Sequence, residues 1–345
     1  MPEQSFSSKP NVVQVTSHSI EEVTEITTST GWEGEFRQLS KGPVTGRWRS
    51  LLLGPSSLTY HSLDQRIHVR QLPPPGCVVL ITPTLPHRLL VDGVEVGINE
   101  VVLQHADSEA EFVTLNEAGC ESLAVPRSLF AATARTLFPR THMNGAPTRI
   151  FQCAPSGWSA LQRDMTRLLR HGGMSPEDVS NLLSRFLDLM AGGPENCLEE
   201  KGLDQRSTRR VARRAQEYIE EHYPGTIRME DLCRYTGVAL RGLQRSFAGY
   251  FQVSPSGFIR ARRLHAARQG LLAAATSHHT VTRIACDSGF THLGRFSVDY
   301  RQQFGESPRE TLAKQAPRRR DRTAIQIREP HLGYHPDGHF RQIFT

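Results

Sequence analysis

The sequence predicts an α+β chain: a β-rich N-terminal domain with following helices, then an all-α domain of two helix-turn-helix units joined by a long helix. Three observations predict it. Between Trp32 and about Arg127, short apolar runs are separated by turn signals. From Ser128 onward the apolar spacing becomes helical. Within residues 228–315 the chain repeats itself weakly.

The β-rich part reads as a small barrel or sandwich. Runs such as Ser50–Leu53, Gly76–Ile81 and Glu100–Leu103 are bounded by Gly42-Pro43, Pro73-Pro74-Pro75-Gly76 and Asp92-Gly93. Alternation is plainest in Ile67–Leu72, where every second residue is apolar. Helical spacing follows in Ser128–Leu137, Ser156–Arg170 and Pro176–Met190. In the last of these, Val179, Leu182, Leu183, Phe186 and Met190 share one stripe, and Gly192-Gly193-Pro194 ends it. Residues 1–30, rich in Ser, Thr and Glu, read as a disordered start without the order of a signal peptide. Residues 31–195 form the first domain, 196–205 a polar linker, 206–315 the second domain and 316–345 an irregular tail.

The repeat carries the second domain. Leu232 and Ile284 lie 52 residues apart, as do Gly237 and Gly289. Leu243 and Phe296, Phe247 and Tyr300, Phe251 and Phe304, and Pro255 and Pro308 lie 53 apart. Each copy is a short helix (Met229–Tyr235; Val281–Cys286), a glycine suited to the left-handed turn, and a second helix (Ala239–Tyr250; His292–Phe304). The apolar residues of the second helix recur every four positions, which leaves its other face free, as in a helix that enters a major groove. Pro255–Ala275 reads as the connector, with Phe258, Ile259, Leu264, Ala267 and Leu271 as its apolar stripe. Two recognition helices on one face of a duplex would then sit about 34 Å apart.

Charge supports that reading. The chain of 345 residues carries a net +6, but residues 201–320 hold 22 Lys and Arg against 10 Asp and Glu, whereas residues 1–200 are net acidic. Concentrated basic charge is the footprint of a nucleic-acid-binding domain. The six cysteines are scattered with no CxxC pair, which argues against zinc and disulfides and for small buried hydrophobes in a reducing compartment. No run of about 18 apolar residues is present, so a cytoplasmic protein with no membrane span is expected.

The segment from Ser288 to Pro308 (SGFTHLGRFSVDYRQQFGESP), with Leu243–Phe247 (LQRSF) and Ser254-Pro255, closely resembles the C-terminal signature of the AraC/XylS family. The resemblance covers about Val211 to Leu312. It implies a transcription regulator, mostly an activator that contacts RNA polymerase. Gly34–Phe36 and Pro126–Phe130 more loosely resemble regulators related to the ethanolamine-operon activator, which implies a cupin-like N-terminal barrel that senses a small molecule or mediates dimerisation. The partners so implied are promoter DNA, RNA polymerase, a small-molecule effector and a second copy of the chain.

Residues expected to meet DNA in the first unit are Ala239, Leu240, Arg241, Gln244 and Arg245. Arg pairs bidentately with guanine and Gln with adenine, and Arg245 suits a phosphate. In the second unit they are His292, Leu293, Gly294, Arg295, Ser297, Val298 and Arg301. Leu293 and Val298 suit thymine methyls, Gly294 close backbone approach, and Arg295 and Arg301 phosphates. The first unit is therefore expected to read more bases and the second more backbone and shape. Arg263 is expected to pair with Asp287, and Asp231 to cap or offset the dipole of its short helix.

An effector pocket would be lined by Trp48, Tyr60 and Phe112, which equally suit plain core packing. His61, His68, His87 and His105 lack the spacing of a cupin metal site, and His278-His279 reads as a loop. No catalytic motif, metal site or cofactor is expected. The alternatives are a repressor, a ligand-independent dimeric regulator, and a cupin metalloenzyme with a DNA-binding appendage.

Overall fold

A computed structural model of the chain describes residues 11–84, 89–115, 117–137, 148–192, 195–196, 203–274, 280–314, 332–334 and 340–342. In chain order come β1 (Asn11–Ser17), α1 (Ile20–Ser29), β2 (Glu33–Gln38), β3 (Gly46–Leu53), β4 (Ser56–Leu63), β5 (Ile67–Leu72), β6 (Cys77–Pro83), β7 (Leu89–Val91), β8 (Val94–Val96), β9 (Glu100–His105), β10 (Ala110–Thr114) and β11 (Ala118–Pro126). Then follow α2 (Arg127–Leu137), β12 (Arg149–Gln152), α3 (Pro155–His171), α4 (Pro176–Ala191) and β13 (Glu195–Asn196). The C-terminal part holds α5 (Leu203–His222), α6 (Met229–Thr236), α7 (Leu240–Phe251), α8 (Pro255–Ala273), α9 (Val281–Asp287), α10 (Leu293–Phe304) and α11 (Pro308–Ala313), then β14 (Leu332–Tyr334) and β15 (Phe340–Gln342).

The expected barrel is not closed. The strands form an eight-stranded sheet in the order β1-β3-β4-β11-β6-β9-β12-β13 and a five-stranded sheet in the order β2-β5-β10-β7-β8, and no ladder among the described residues joins them. The reason lies in side-chain parity. Strands β6 and β9 are apolar on both faces, so the large sheet needs a cover on each side. Val78, Leu80, Val101, Leu103, Leu123 and Val125 pack under α2, α3 and α4. Their neighbours Val79, Ile81, Val102 and Ala124 face the small sheet. The result is layered: helices, large sheet, small sheet, and then the C-terminal helices.

That last contact uses the outer face of the small sheet. Val69 and Phe112 point inward, while Leu90 and Val113 join a cluster with Ala212, Leu243, Phe247, Tyr250, Phe251 and Phe258. A strand has a side-chain period of two, so β5, β7 and β10 each contribute to both layers.

Two termini differ from expectation. The start is ordered from Asn11: β1 pairs with β3 along its whole length, and α1 is capped by Ser19, whose hydroxyl accepts from Glu22 N–H. The Thr residues that suggested disorder bond back into the helix, Thr24 to Ile20 O and Thr27 to Val23 O. In the tail, β14 pairs with β15. The linker span is shortened from both sides, by β13 and by α5.

Candidate nucleic-acid interface

Each unit is built as its apolar spacing dictates. In the first, α6 ends at Gly237, which adopts φ 75° and donates its N–H to Cys233 O. Helix α7 then buries Leu243, Ser246, Phe247, Tyr250 and Phe251. The opposite face is bare: Ala239, Leu240, Arg241, Gln244 and Arg245 are all exposed, Leu240 at 44%. In the second unit, α9 is capped by Thr280, and the turn passes through Gly289 at φ 89°. A Cβ at Gly289 would lie 2.8 Å from Tyr223 O and 2.9 Å from Arg263 Nε, so both conformation and space require glycine there. Helix α10 buries Phe296 and Tyr300. It exposes His292, Leu293, Gly294, Arg295, Ser297, Val298 and Arg301, with Val298 at 55%.

Asp299 is only half-exposed and sits between Arg295 (3.9 Å) and Arg260 (4.0 Å). Arg295 is within ion-pair reach of it along the same helix, yet its side chain stays 77% exposed. The connector α8 buries its full expected stripe. Ser254 caps it by accepting from Gly257 N–H, and Pro255 opens it.

Arg263 does not pair with Asp287. Its guanidinium donates to Tyr223 O (2.8 Å) and Gly225 O (2.6 Å), tying α8 to the end of α5, while Asp287 faces Arg283 at 3.8 Å on its own helix. Asp231 lies in the first turn of α6 and pairs with Arg234 at 3.2 Å.

Sequence reasoning missed how both units are fastened to the sheets. The first unit is held mainly by apolar contact. Phe251 and Phe258 pack edge-on to His68, and Tyr250 covers Gly93 so closely that a Cβ there would collide with the ring. His68 Nε2 lies 3.3 Å from Glu111, and Arg209 lies 3.8 Å from Asp92. Burial pushes the Glu111 carboxyl up, but His68 and Arg213 outweigh it and leave the group below its ordinary range.

The second unit and connector are held by polar groups. Gln38 donates its backbone N–H to His265 Nε2 (2.8 Å), and the Gln38 and Gln303 amides each donate to the other's backbone carbonyl. Gly42 N–H donates to Gln302 O. Arg268, 5% exposed, donates to both oxygens of Glu21 (2.7 and 2.9 Å) and to Glu306 (2.9 Å). Burial would lower the Arg268 pKa, but the Glu21 contacts outweigh it and raise it. Full burial, aided by the charges of Arg37 and Arg268, pushes His265 down to about 3, so it stays neutral and able to accept. On the first unit's side, Glu220 of α5 bridges Arg37 of β2 (2.6 Å) and Arg262 of α8 (2.5 Å), a polar tie added to the apolar contact there. A histidine and an arginine on the buried stripe of α8 were the available signal.

A cavity of about 90 Å³ lies between the two sheets. Trp48 and Phe112 line it, with Thr27 of α1, Thr30 and Trp32 of the turn that follows, and Phe36 of β2. Tyr60 does not. It has the parity of Leu58 and packs on the helix side of the large sheet, while its neighbours Thr59 and His61 face the cavity.

Of the other histidines, His61 approaches Cys120 Sγ and His105 packs edge-on to Phe130; His87, His278 and His279 lie outside the described residues. No group of three His, Cys, Asp or Glu able to hold a metal occurs among the described residues. Cys77, Cys120 and Cys153 are buried, but Cys233 is half-buried and Cys286 exposed, so the cysteines are not uniformly core; Cys197 is outside the described residues. No helix among the described residues is long and apolar enough to cross a membrane.

Known proteins share this C-terminal part. Residues 232–314 match the family described as a helix-turn-helix domain. The XylDLEGF operon transcriptional activator 2 of Pseudomonas putida is 36% identical over 100 residues, which cover 29% of this chain and 64% of that protein. The HTH-type transcriptional regulator ExsA of Pseudomonas aeruginosa is 32% identical over 126 residues, 36% of this chain and 44% of that one. A solved structure described as a probable AraC family transcriptional regulator from Rhodopseudomonas palustris is 37% identical and covers 31% of this chain and 98% of its own, with a TM-score of 0.30. The chain spans less than two thirds of the length of these curated relatives. The curated relatives are transcription regulators, and residues 232–314 of this chain are a helix-turn-helix domain of the kind they share.

Proposed function

We propose that the chain is a sequence-specific, DNA-binding transcription activator that responds to a small-molecule effector and acts on RNA polymerase as a homodimer. The observation that carries this reading is the pair of bare recognition faces. All twelve positions expected at DNA are exposed, on helices whose opposite faces are buried. Arg241 and Gln244, three residues apart, present the groups that read guanine and adenine. Leu293, Val298, Arg295 and Arg301 present methyl-packing and phosphate-pairing groups. Activation rather than repression follows the XylDLEGF operon transcriptional activators of Pseudomonas putida.

The effector site in this reading is the cavity between the sheets. Its walls are one layer thick. Val69 and Phe112 face it, while His68 and Val113 on the same strands face the first unit. Thr27 of α1 and Phe36 of β2 face it, while Glu21 and Gln38 of those elements fasten α8 and α10. Filling the cavity moves walls that both units rest on. The test is footprinting of full-length protein on its target promoter. Arg241→Ala and Gln244→Ala should each lose about 10- to 100-fold in affinity for the cognate site, with nonspecific binding kept. Unchanged protection by both variants would refute base reading by α7.

A further inference from the structure

The cavity between the sheets has a chemical character sharp enough to define what it takes. Trp32, Phe36, Trp48 and Phe112 supply flat apolar surface. Among the described residues that line it there is no Lys, Arg, Asp or Glu. Its polar groups are neutral: Gln71, Ser122 and four threonines, with His61 and Cys120 at one corner, Cys120 Sγ 3.0 Å from His61 Nε2 and the imidazole stacked on Trp48 at 6.2 Å. Burial pushes His61 down to about 4 and the Cys120 thiol up, so neither carries charge at neutral pH. A buried ion without a counter-charge is costly, so a charged ligand would have nothing here to offset its desolvation. Flat rings stack well on aromatic walls. A space of about 90 Å³ is smaller than the engineered cavity of roughly 150 Å³ that admits benzene. One small ring is therefore the most it admits, with the walls giving way around the ring's substituent, and a fused system or long chain is excluded.

We propose that this cavity binds a small uncharged compound built on a single planar ring with one neutral polar group, and rejects carboxylates, phosphates and ammonium compounds of the same size. The proposal rests on reading the cavity as the effector site. The polar group of the ligand meets the neutral imidazole and thiol, and its ring lies against Trp48 and Phe112.

The test titrates full-length protein with benzamide and benzyl alcohol as neutral probes, and with benzoate and benzylammonium as charged ones. Two of the three tryptophans, Trp32 and Trp48, line the cavity, so intrinsic fluorescence reports occupancy directly. At ten times its Kd, a neutral probe should raise the melting midpoint by about 2 °C, and the charged probes should leave it unchanged. Ala118→Leu, which fills the cavity, should abolish both signals, and Ser122→Leu provides a second block should the first fail to fold. Benzoate or benzylammonium acting as strongly as benzamide overturns the proposal, as does a shift retained in the filled variants or no shift with any probe. Measuring promoter-DNA affinity in the same titrations separates the two readings. Neutral probes that bind without changing it refute the effector role and leave the ligand class standing. A response to benzoate alone refutes the ligand class and leaves the effector role standing.

Discussion

The two helix-turn-helix units share a plan but are fastened to the sheets by different physics. The first unit rests on an apolar dock, where Tyr250, Phe251 and Phe258 share one cluster with Leu90 and Val113. The second, with the connector, rests on directional polar contacts: Arg268 with Glu21 and Glu306, His265 with Gln38, and Gln303 with Gln38. Apolar contact is nondirectional and has no proton to lose or gain. Hydrogen bonds and ion pairs fail outright when geometry or protonation changes.

The largest expected effect is on the apolar dock. Phe251→Ala should cost about 3–5 kcal/mol of global stability, since the ring is fully buried and the cavity cannot collapse between two domains. Urea denaturation checks this, and a loss below about 1 kcal/mol would mean that the dock is not part of the core.

Next comes the ionic clamp. Arg268→Met should cost about 2–3 kcal/mol. That is less than the 3–5 kcal/mol typical of a broken buried pair, because Glu21 is 38% exposed and can rehydrate. The same variant should speed hydrogen exchange in α10 and α11 while sparing α6 and α7. Uniform acceleration across both units would erase the distinction between the docks.

Acid should act through His265. Its folded pKa, about 3, lies below the ordinary 6.5, so the unfolded chain binds the proton more tightly. The stability linked to it is present above about pH 6.5 and is lost as pH falls toward 3, at up to about 1.4 kcal/mol per pH unit. His61, pushed down to about 4, adds to the same slope, whereas Glu121, raised to about 7, opposes it. His265→Gln keeps an acceptor for Gln38 N–H and should flatten the difference in urea midpoint between pH 7 and pH 5. An unaltered difference would exclude His265 from the clamp.

The smallest effects sharpen the comparison at DNA. Arg241→Ala should relax selectivity at one base pair by about 1–3 kcal/mol, while Arg295→Ala should weaken all sequences about equally. Binding assays on cognate and scrambled duplexes decide, and the opposite pattern would mean that the reading roles of the units are reversed.

How much of this was legible depended on range along the chain. Helices α6, α7, α9 and α10 begin and end within one residue of their sequence reading, because glycine turns and four-residue spacing are local signals. Strand β5 was readable from strict alternation. Closure was not, since it depends on which strands pair, and the two-faced apolar runs of β6 and β9 were taken for a barrel. Tyr60 was misplaced by one step of parity, whereas Trp48 and Phe112 had the right one. Helix α1 was hidden because threonines that satisfy their hydroxyls within a helix look the same in sequence as threonines in a loop. The docks were the least legible of all: Gln38 and His265 are 227 residues apart, and nothing local in either announces the other.

The most direct measurement is selection of bound sites from a random DNA pool by the full-length protein, followed by salt titration of the selected site. Two recognition helices held by one connector predict a site with two short conserved blocks about 10 base pairs apart, the sharper one assigned to α7 by its loss in Arg241→Ala. Recovery of no motif, with binding that collapses as salt rises, would mean phosphate contact alone and would contradict the account of paired reading helices.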